Sequence, residues 1–600
     1  MRAIETIIEN IEQKRSFVLE AGAGSGKTYT LIETINYLLQ KYTPHLKREG
    51  KRIVCITYTN VAKNEIIHRL ENNPLVIVST IHEFLWDCIK PYNRQLVIEL
   101  DKLNTLMHQE KPDKFNPNLI ERINQVIYND SSYRDFEIGQ IHHDDVITLS
   151  KALFENYPLL TTIVADKYPF ILVDEYQDTA SETATALIDF LLERNKDKVL
   201  IGFYGDSYQK IYDTGVGSLE NYVQATKLTL VTKEENYRSS QNVVKLLNAI
   251  RSNIVQKIPE GTESVEGSAR FINSNNYPPP PKKGILEYEK SILPTKNENY
   301  EKVVEMLEGE GWNFGENSED KVLIIANSRV AARGGFGDLY KVFSNRFGEG
   351  ANEALLKREN AFASFFLGST DRKTSQERET GIEHLVSFWE NKDYNNVMRF
   401  LRKAGASIED GRILRKHEDK KIIREIIEEL IELRKTKTVK DVFEFVVQNK
   451  LLGQPKYITK YLERITVDVN TIEEDKLSKH QRDIDFFNEL MALPYTEYID
   501  LFAHTQDHTV FSTKHGTKGE EYRNVLVVID DTSWKQKYNF EAFIDNTEAT
   551  ADRKLRTQNL FYVSCSRAKE NLVVLALSEM KAPAMAVVTN WFGANAISNI

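Results

Sequence analysis

Short apolar runs rich in β-branched residues recur along the chain between stretches of helical periodicity. They are Phe17–Leu19, Ile53–Ile56, Val76–Val78, Ile171–Val173, Val199–Ile201, Val322–Ile325, Val525–Ile529 and Leu572–Leu577. Runs this short with no polar alternation predict strands buried on both faces, and hence an α/β fold in which parallel sheets are flanked by helices. Behind Gly26-Lys27-Thr28, the residues Leu31, Ile35, Leu38 and Leu39 share one helical face, so a strand, a glycine loop and a helix follow in order. Pro278–Pro281 followed by Lys282-Lys283-Gly284 cannot be helical and reads as a surface connection. From about Asn345 to Tyr495 the pattern changes to long charged helices, with Ile422, Ile423, Ile426, Ile427, Leu430 and Ile431 forming an apolar stripe. That stretch reads as a helical insertion.

Six hundred residues exceed what one hydrophobic core organises, and the length predicts roughly three to five structural units. Hydrophobic residues at 41% and charged residues at 28% are ordinary globular values. No apolar run approaches the ~20 residues of a membrane span, so no membrane role is expected. Met1–Gln13 mixes charges of both signs and lacks the apolar core of a secretory signal. Cys55, Cys88 and Cys565 lie too far apart to form a four-thiolate cluster or a disulfide framework, which suits a reducing cytoplasm. The formal charge of -10 excludes a generally basic coat, so any contact with nucleic acid must come from a local channel.

The segment Ala21-Gly22-Ala23-Gly24-Ser25-Gly26-Lys27-Thr28-Tyr29 contains the Gly-Lys-Thr of a phosphate loop, with Ala21 where the general pattern has its first glycine. Glycines let backbone N–H groups face phosphates, and a following helix adds its dipole. Lys27 is expected to reach the β- and γ-phosphates and Thr28 to ligate Mg²⁺, making ATP and Mg²⁺ the expected substrate and cofactor. The alternative, a glycine turn without a ligand, does not explain the strand before it and the helix after it. A second carboxylate element is expected at the end of a buried strand, and Phe170-Ile171-Leu172-Val173-Asp174-Glu175 has that form. Asp174 would hold the metal, and Glu175 would orient or deprotonate the attacking water. An acidic pair is more often a solvated turn, but four apolar residues precede this one.

Asp174-Glu175-Tyr176-Gln177-Asp178-Thr179 is more specific than an acidic pair and resembles the second motif of UvrD/Rep/PcrA-like superfamily 1 helicases. Further segments resemble that family's other motifs in order. Thr57-Tyr58-Thr59-Asn60 and Ser79-Thr80-Ile81-His82 match its first DNA-contacting segments, Gly205 to Tyr212 its third motif and Asn236-Tyr237-Arg238-Ser239-Ser240 its fourth. Thr513 to Tyr522 and Tyr562 to Ala568 match its fifth and sixth. The resemblance covers roughly residues 15–345 and 500–580. It implies two RecA-like lobes with ATP between them and a mainly helical accessory insertion in each. The first lobe is then 1–84 and 161–225 around an insertion at 85–160. The second is 226–344 and 500–600 around an insertion at 345–499.

Carried over residue by residue, the resemblance makes Gln209 a γ-phosphate sensor and Arg238 and Arg567 arginine fingers from the second lobe. It puts Tyr237 on adenine and Glu521 on the ribose. On the DNA side it points to Tyr58, Thr59, Asn60, Thr80, His82, Tyr212 and His515, which join hydroxyl, amide or imidazole groups to aromatic faces. A structural role in the loop is an equal alternative for each of these seven. Two departures from the family pattern stand out. Thr6 occupies the place of an adenine-reading glutamine, the nearest glutamine being Gln13, which predicts relaxed adenine selectivity. Thr214 and Gly215 replace a bulky aromatic and an arginine after Tyr212, which predicts reduced base stacking.

The family implies an ATP-dependent 3′→5′ DNA helicase or translocase acting on single-stranded and forked DNA. A second reading is a DNA-stimulated ATPase subunit that presents DNA to a nuclease partner, since helicases of this kind occur beside nucleases in bacterial anti-phage systems such as Gabija. A third, an ATPase that remodels protein, predicts turnover indifferent to DNA. Neither insertion carries a readable motif.

Overall fold

A computed structural model describes residues 2–600 except 59, 111, 113–114, 129–133, 211–214, 262–264, 280, 282–284, 315–317, 325–330, 332–333, 357, 371–376, 379, 407–416, 468–473, 506–510, 513–519 and 532–537. The chain forms two compact units, Met1–Trp312 with Lys514–Ile600, and Asn313–Thr513.

The first unit holds two parallel sheets. In one, β1 (Phe17–Ala21), β2 (Ile53–Thr57), β3 (Val76–Thr80), β4 (Phe170–Asp174), β5 (Leu200–Gly205) and β6 (Thr229–Lys233) lie in the order β3-β2-β4-β5-β1-β6. Every neighbouring pair is parallel. Alternate residues of each central strand enter different cores: Phe17, Leu19, Ile53, Cys55 and Leu172 pack on one face. Val18, Val54, Ile56, Ile171 and Val173 pack on the other. Burial on both faces is what removes polar residues from these runs. Helices Ile81–Ile89, Asn93–Glu110 and His143–Asn156 contribute Phe84, Leu96 and Leu149 to the second of these cores, so the segment after β3 is packed on the sheet.

In the other sheet, β7 (Ser268–Asn273), β8 (Tyr522–Ile529), β9 (Ala568–Ala576) and β10 (Ile597–Asn599) lie in the order β8-β9-β7-β10, again parallel. β6, β7 and β10 escape the apolar-run rule because much of each strand is partly exposed or polar, as in Thr229-Leu230-Val231-Thr232-Lys233. Pro278, Pro279 and Pro281 are exposed and outside regular structure, while Lys282–Gly284 lie outside the described residues.

The second unit is mainly helical. Helices such as Gly337–Phe347, Ile382–Glu390, Val439–Gln448 and Thr496–Thr505 surround a core containing Phe343, Leu385, Val446 and Tyr498. A short parallel pair joins Lys321–Ile324 to Phe511–Ser512. Helix His417–Thr436 carries the apolar stripe, of which Ile423, Ile426, Ile427 and Leu430 are buried, but Ile422 faces solvent at 47% exposure. The reason is angular: the buried set recurs at three- and four-residue spacing, and Ile422 starts one position ahead of it. Among the described residues no helix is long and apolar enough to cross a membrane.

Candidate nucleotide site

β1 ends at Ala21, 1% exposed, and the chain then turns through Gly22–Gly26 into helix Lys27–Glu49. Gly24 and Gly26 both have φ +74°, a region that side-chain-bearing residues rarely adopt. A Cβ on Gly24 would also stand 2.7 Å from Arg238 Cβ. The loop is clamped through Ala23. Its N–H donates to Tyr562 Oη at 3.1 Å, and its carbonyl accepts from Asn236 Nδ2 at 3.1 Å and Gln256 Nε2 at 2.8 Å. Ser25 Oγ is buried with no hydrogen-bond partner among the described residues.

β4 delivers Asp174, 4% exposed, to the same end of the sheet. The next residue, Glu175, has φ +53°, and its N–H donates to Asp174 Oδ1 at 3.0 Å. The Glu175 carboxylate lies 2.7 Å from the Lys27 ammonium. Burial opposes the Lys27 charge, but Glu175 and then Asp174 outweigh it and hold the ammonium above the usual lysine range.

Gln209 and the two arginines face these groups. Gln209 donates to Asp206 Oδ2 at 2.9 Å and accepts from Arg567 Nη2 at 3.2 Å. Arg567 is 1% exposed and donates to the carbonyls of Val563 and Glu520 at 3.0 and 3.2 Å. Burial, followed by the neighbouring Arg238, pushes its pKa down to about 9. A cation held against both gains from an incoming anion, and a phosphate supplies one. Arg238 donates to Glu521 Oε2 at 2.8 Å and to the Ser566 carbonyl at 3.1 Å. Lys569 pairs with the other Glu521 oxygen at 2.9 Å. Burial opposes the Glu521 charge, but Lys569 and Arg238 outweigh it and keep the carboxyl below its usual range.

These groups line one cleft of about 1190 Å³, together with Gly22, Gly24, Ser25, Gly26, Thr28, Tyr29 and Tyr237. Arg2, Ile4, Glu33 and Lys233 line it as well. Gln13 instead donates to Glu9 at 3.0 Å on the exposed side of the first helix. A phosphate loop on a helix N-terminus, an acidic strand end and two arginines suit a nucleoside triphosphate with a divalent cation, and Thr28 and Asp174 would hold that cation.

Of the residues expected on DNA, Tyr58 and Asn60 follow the end of β2, and Thr80 and His82 lie at the end of the adjacent β3, where Thr57 pairs with Thr80. Tyr58 lines the nucleotide cleft. Thr80 caps helix Ile81–Ile89, its hydroxyl accepting from the Glu83 N–H at 3.4 Å. The His82 ring lies 4.8 Å from that of His143. Asn60 opens helix Asn60–Arg69, whereas Thr59, Tyr212, Thr214 and His515 lie outside the described residues. Asn236, Gln256 and Tyr562 were missed as clamps of the phosphate loop, because their effect depends on contacts more than 200 residues away in sequence. Asn236, inside Asn-Tyr-Arg-Ser-Ser, and Tyr562, which opens the sixth matching segment, carried a signal that could have found them; Gln256 did not.

Fold and cleft together define a phosphate-loop ATPase built on two RecA-like parallel sheets. Residues 4–215 match the family model described as an AAA domain, AAA_19. The chain is 26% identical to Gabija protein GajB of Bacillus cereus (strain HuB5-5), over 96% of this chain and 95% of that protein. It is 24% identical to ATP-dependent DNA helicase Rep of Buchnera aphidicola subsp. Acyrthosiphon pisum, over 92% of this chain and 91% of that one. ATP-dependent DNA helicase PcrA of Bacillus subtilis (strain 168) is 26% identical over 42% of this chain and 39% of its own length. By these likenesses the chain is similar to the UvrD/Rep/PcrA-like superfamily 1 helicases.

Proposed function

We propose that the chain is a DNA-dependent ATPase that moves 3′→5′ along single-stranded DNA and separates forked duplexes in the cytoplasm, with residues 85–160 and 345–499 as accessory insertions of its two lobes. The observation that carries this reading is the convergence of Lys27, Asp174, Glu175, Gln209, Arg238 and Arg567 on one cleft. Lys27 binds the β- and γ-phosphates, and Glu175 orients the attacking water and takes its proton. Gln209 senses the γ-phosphate, while Arg238 and Arg567 stabilise the charge that develops there. Tyr237 stacks on adenine and Glu521 meets the ribose. Thr28 and Asp174 would hold Mg²⁺, which would supply charge neutralisation for the phosphates.

A second reading rests on the likeness to Gabija protein GajB over nearly the whole chain. In it the ATPase serves antiviral defence beside a nuclease partner and unwinds little alone. The experiment is ATP turnover with and without single-stranded DNA, followed by unwinding of duplexes with 3′ or 5′ overhangs. Stimulation by DNA with unwinding from the 3′ overhang supports the first reading. Stimulation without unwinding supports the second, and turnover indifferent to DNA sinks both.

A further inference from the structure

Arg251 follows helix Gln241–Ile250, does not line the cleft, and has a side chain 0% exposed. Its guanidinium lies between two rings, 4.9 Å from the centre of Tyr208 and 5.1 Å from that of Tyr562. Nη1 donates to Tyr562 Oη at 2.7 Å, and Nη2 donates to Asp206 Oδ1 at 3.3 Å. Nε and Nη2 share Asn253 Oδ1 at 3.0 and 2.9 Å. The carboxylate of Glu20, the residue before Ala21 on β1, stands 3.9 Å away.

Two of these contacts, to Tyr562 and Asp206, start arms that end at the nucleotide cleft. Along one, Tyr562 Oη accepts from Arg251 and also from the N–H of Ala23 in the phosphate loop. Along the other, the Asp206 carboxylate that Arg251 holds accepts from the Gln209 amide, and Gln209 accepts from Arg567. One buried cation thus fixes the loop, the expected γ-phosphate sensor and an expected finger relative to one another. Its charge stands against the fully buried Asp206 carboxylate and the neighbouring Glu20. Lysine cannot replace it, because a point charge cannot donate along both arms and stack between two rings at once.

We propose that Arg251 is a positioning residue for ATP turnover, holding Gln209 and Arg567 in register with the phosphate loop through Asp206 and Tyr562. The proposal rests on the reading of Gln209 and Arg567 given above. It requires that loss of the fork lower the rate of the chemical step rather than the affinity for ATP, since nucleotide-contacting groups stay in place but misaligned. Misplacement of a catalytic group by about 1 Å costs about 10²-fold in rate.

The test is steady-state ATP hydrolysis by the full chain at saturating single-stranded DNA, for Arg251→Lys, Tyr562→Phe, Arg567→Ala and the double variant Arg251→Lys/Arg567→Ala. Melting temperatures are measured in parallel, and Arg251→Lys keeps the buried charge so that folding survives. The expected result is a fall of about 10²-fold in kcat for Arg251→Lys with KM for ATP within about threefold of the parent. Groups that act as a unit do not multiply their losses, so the double variant should be no slower than Arg567→Ala alone. If Arg567→Ala turns over normally, the reading of the cleft fails. If Arg567→Ala is slow while Arg251→Lys keeps its kcat, or if the double variant loses the product of the two effects, Arg251 is only a structural ion pair and the proposal is overturned.

Discussion

The Lys27 ammonium stands 2.7 Å from Glu175 Oε1, so the group expected on the phosphates and the group expected on the water meet in one ion pair. Both side chains are largely buried, and removing either leaves the other charge poorly compensated. Glu175→Gln should keep a hydrogen-bonding partner for Lys27 and lose only the base. We expect about 10²–10⁴-fold slower turnover, with binding of a fluorescent ATP analogue retained. Lys27→Ala should lose binding and turnover together. Equilibrium titration with the analogue beside a phosphate-release assay separates the two, and normal turnover in Glu175→Gln would refute its assignment.

The two arginines are not equivalent in their surroundings, and their variants should differ. Arg567 is held by backbone carbonyls and Gln209, whereas Arg238 shares Glu521 with Lys569. Arg567→Ala should lower kcat by about 10³-fold with little change in KM for ATP, as loss of an interaction made chiefly in the transition state requires. Arg238→Ala should lower kcat and also raise KM, because it frees the carboxylate expected on the ribose. Full kinetic curves at saturating DNA check both. Equal shifts in KM for the two variants would contradict the division of roles.

The nucleotide site was legible in the sequence because each of its parts demands a residue type at fixed spacing. Gly24 and Gly26 answer a positive φ, and Asp174 answers a buried strand end. The central strands were legible for a related reason, since burial on both faces leaves only apolar residues. β6 was not, because Thr229–Lys233 has polar and partly exposed positions. Arg251, Asp206 and Glu20 come from three separated segments, and only the fold makes them one buried cluster. Thr80, for which a structural role was an equal alternative to a DNA contact, accepts at the N-terminus of the helix it precedes. The expectation at Thr214 concerns a position outside the described residues.

Tyr237 is 57% exposed on the cleft, and its backbone N–H donates to the Gly24 carbonyl at 2.9 Å. The ring is therefore tied to the phosphate loop while its face stays open, with Lys233 Nζ 5.8 Å from its centre. Stacking of a base on such a face is worth about 1–3 kcal/mol, so Tyr237→Ala should raise KM for ATP about tenfold and Tyr237→Phe should not. Because Thr6 replaces the family's glutamine, the same variant should raise KM for GTP by a similar factor. Parallel Michaelis curves with ATP and GTP test this. A loss confined to ATP would mean that another group reads adenine.

His82 is the DNA candidate whose surroundings the fold defines best. It lies on helix Ile81–Ile89, behind the Thr80 cap, with its ring 4.8 Å from His143. His143 in turn lies 5.5 Å from Tyr128, and Tyr128 lies 5.5 Å from Trp86, so aromatic faces continue into the segment after β3. His82→Ala should therefore raise the single-stranded DNA concentration that half-saturates ATP turnover, by about tenfold if a base stacks there. Salt dependence tells stacking from phosphate contact. Loss of one phosphate contact lowers the slope of log affinity against log salt by about one, whereas loss of stacking leaves it unchanged. Thr80→Ala should weaken DNA binding only through the helix it caps, at a cost of about 1 kcal/mol in stability, and Thr80→Ser should restore both. If His82→Ala shifts neither the half-saturating DNA concentration nor the salt slope, the imidazole belongs to the packing of this segment and the strand runs elsewhere.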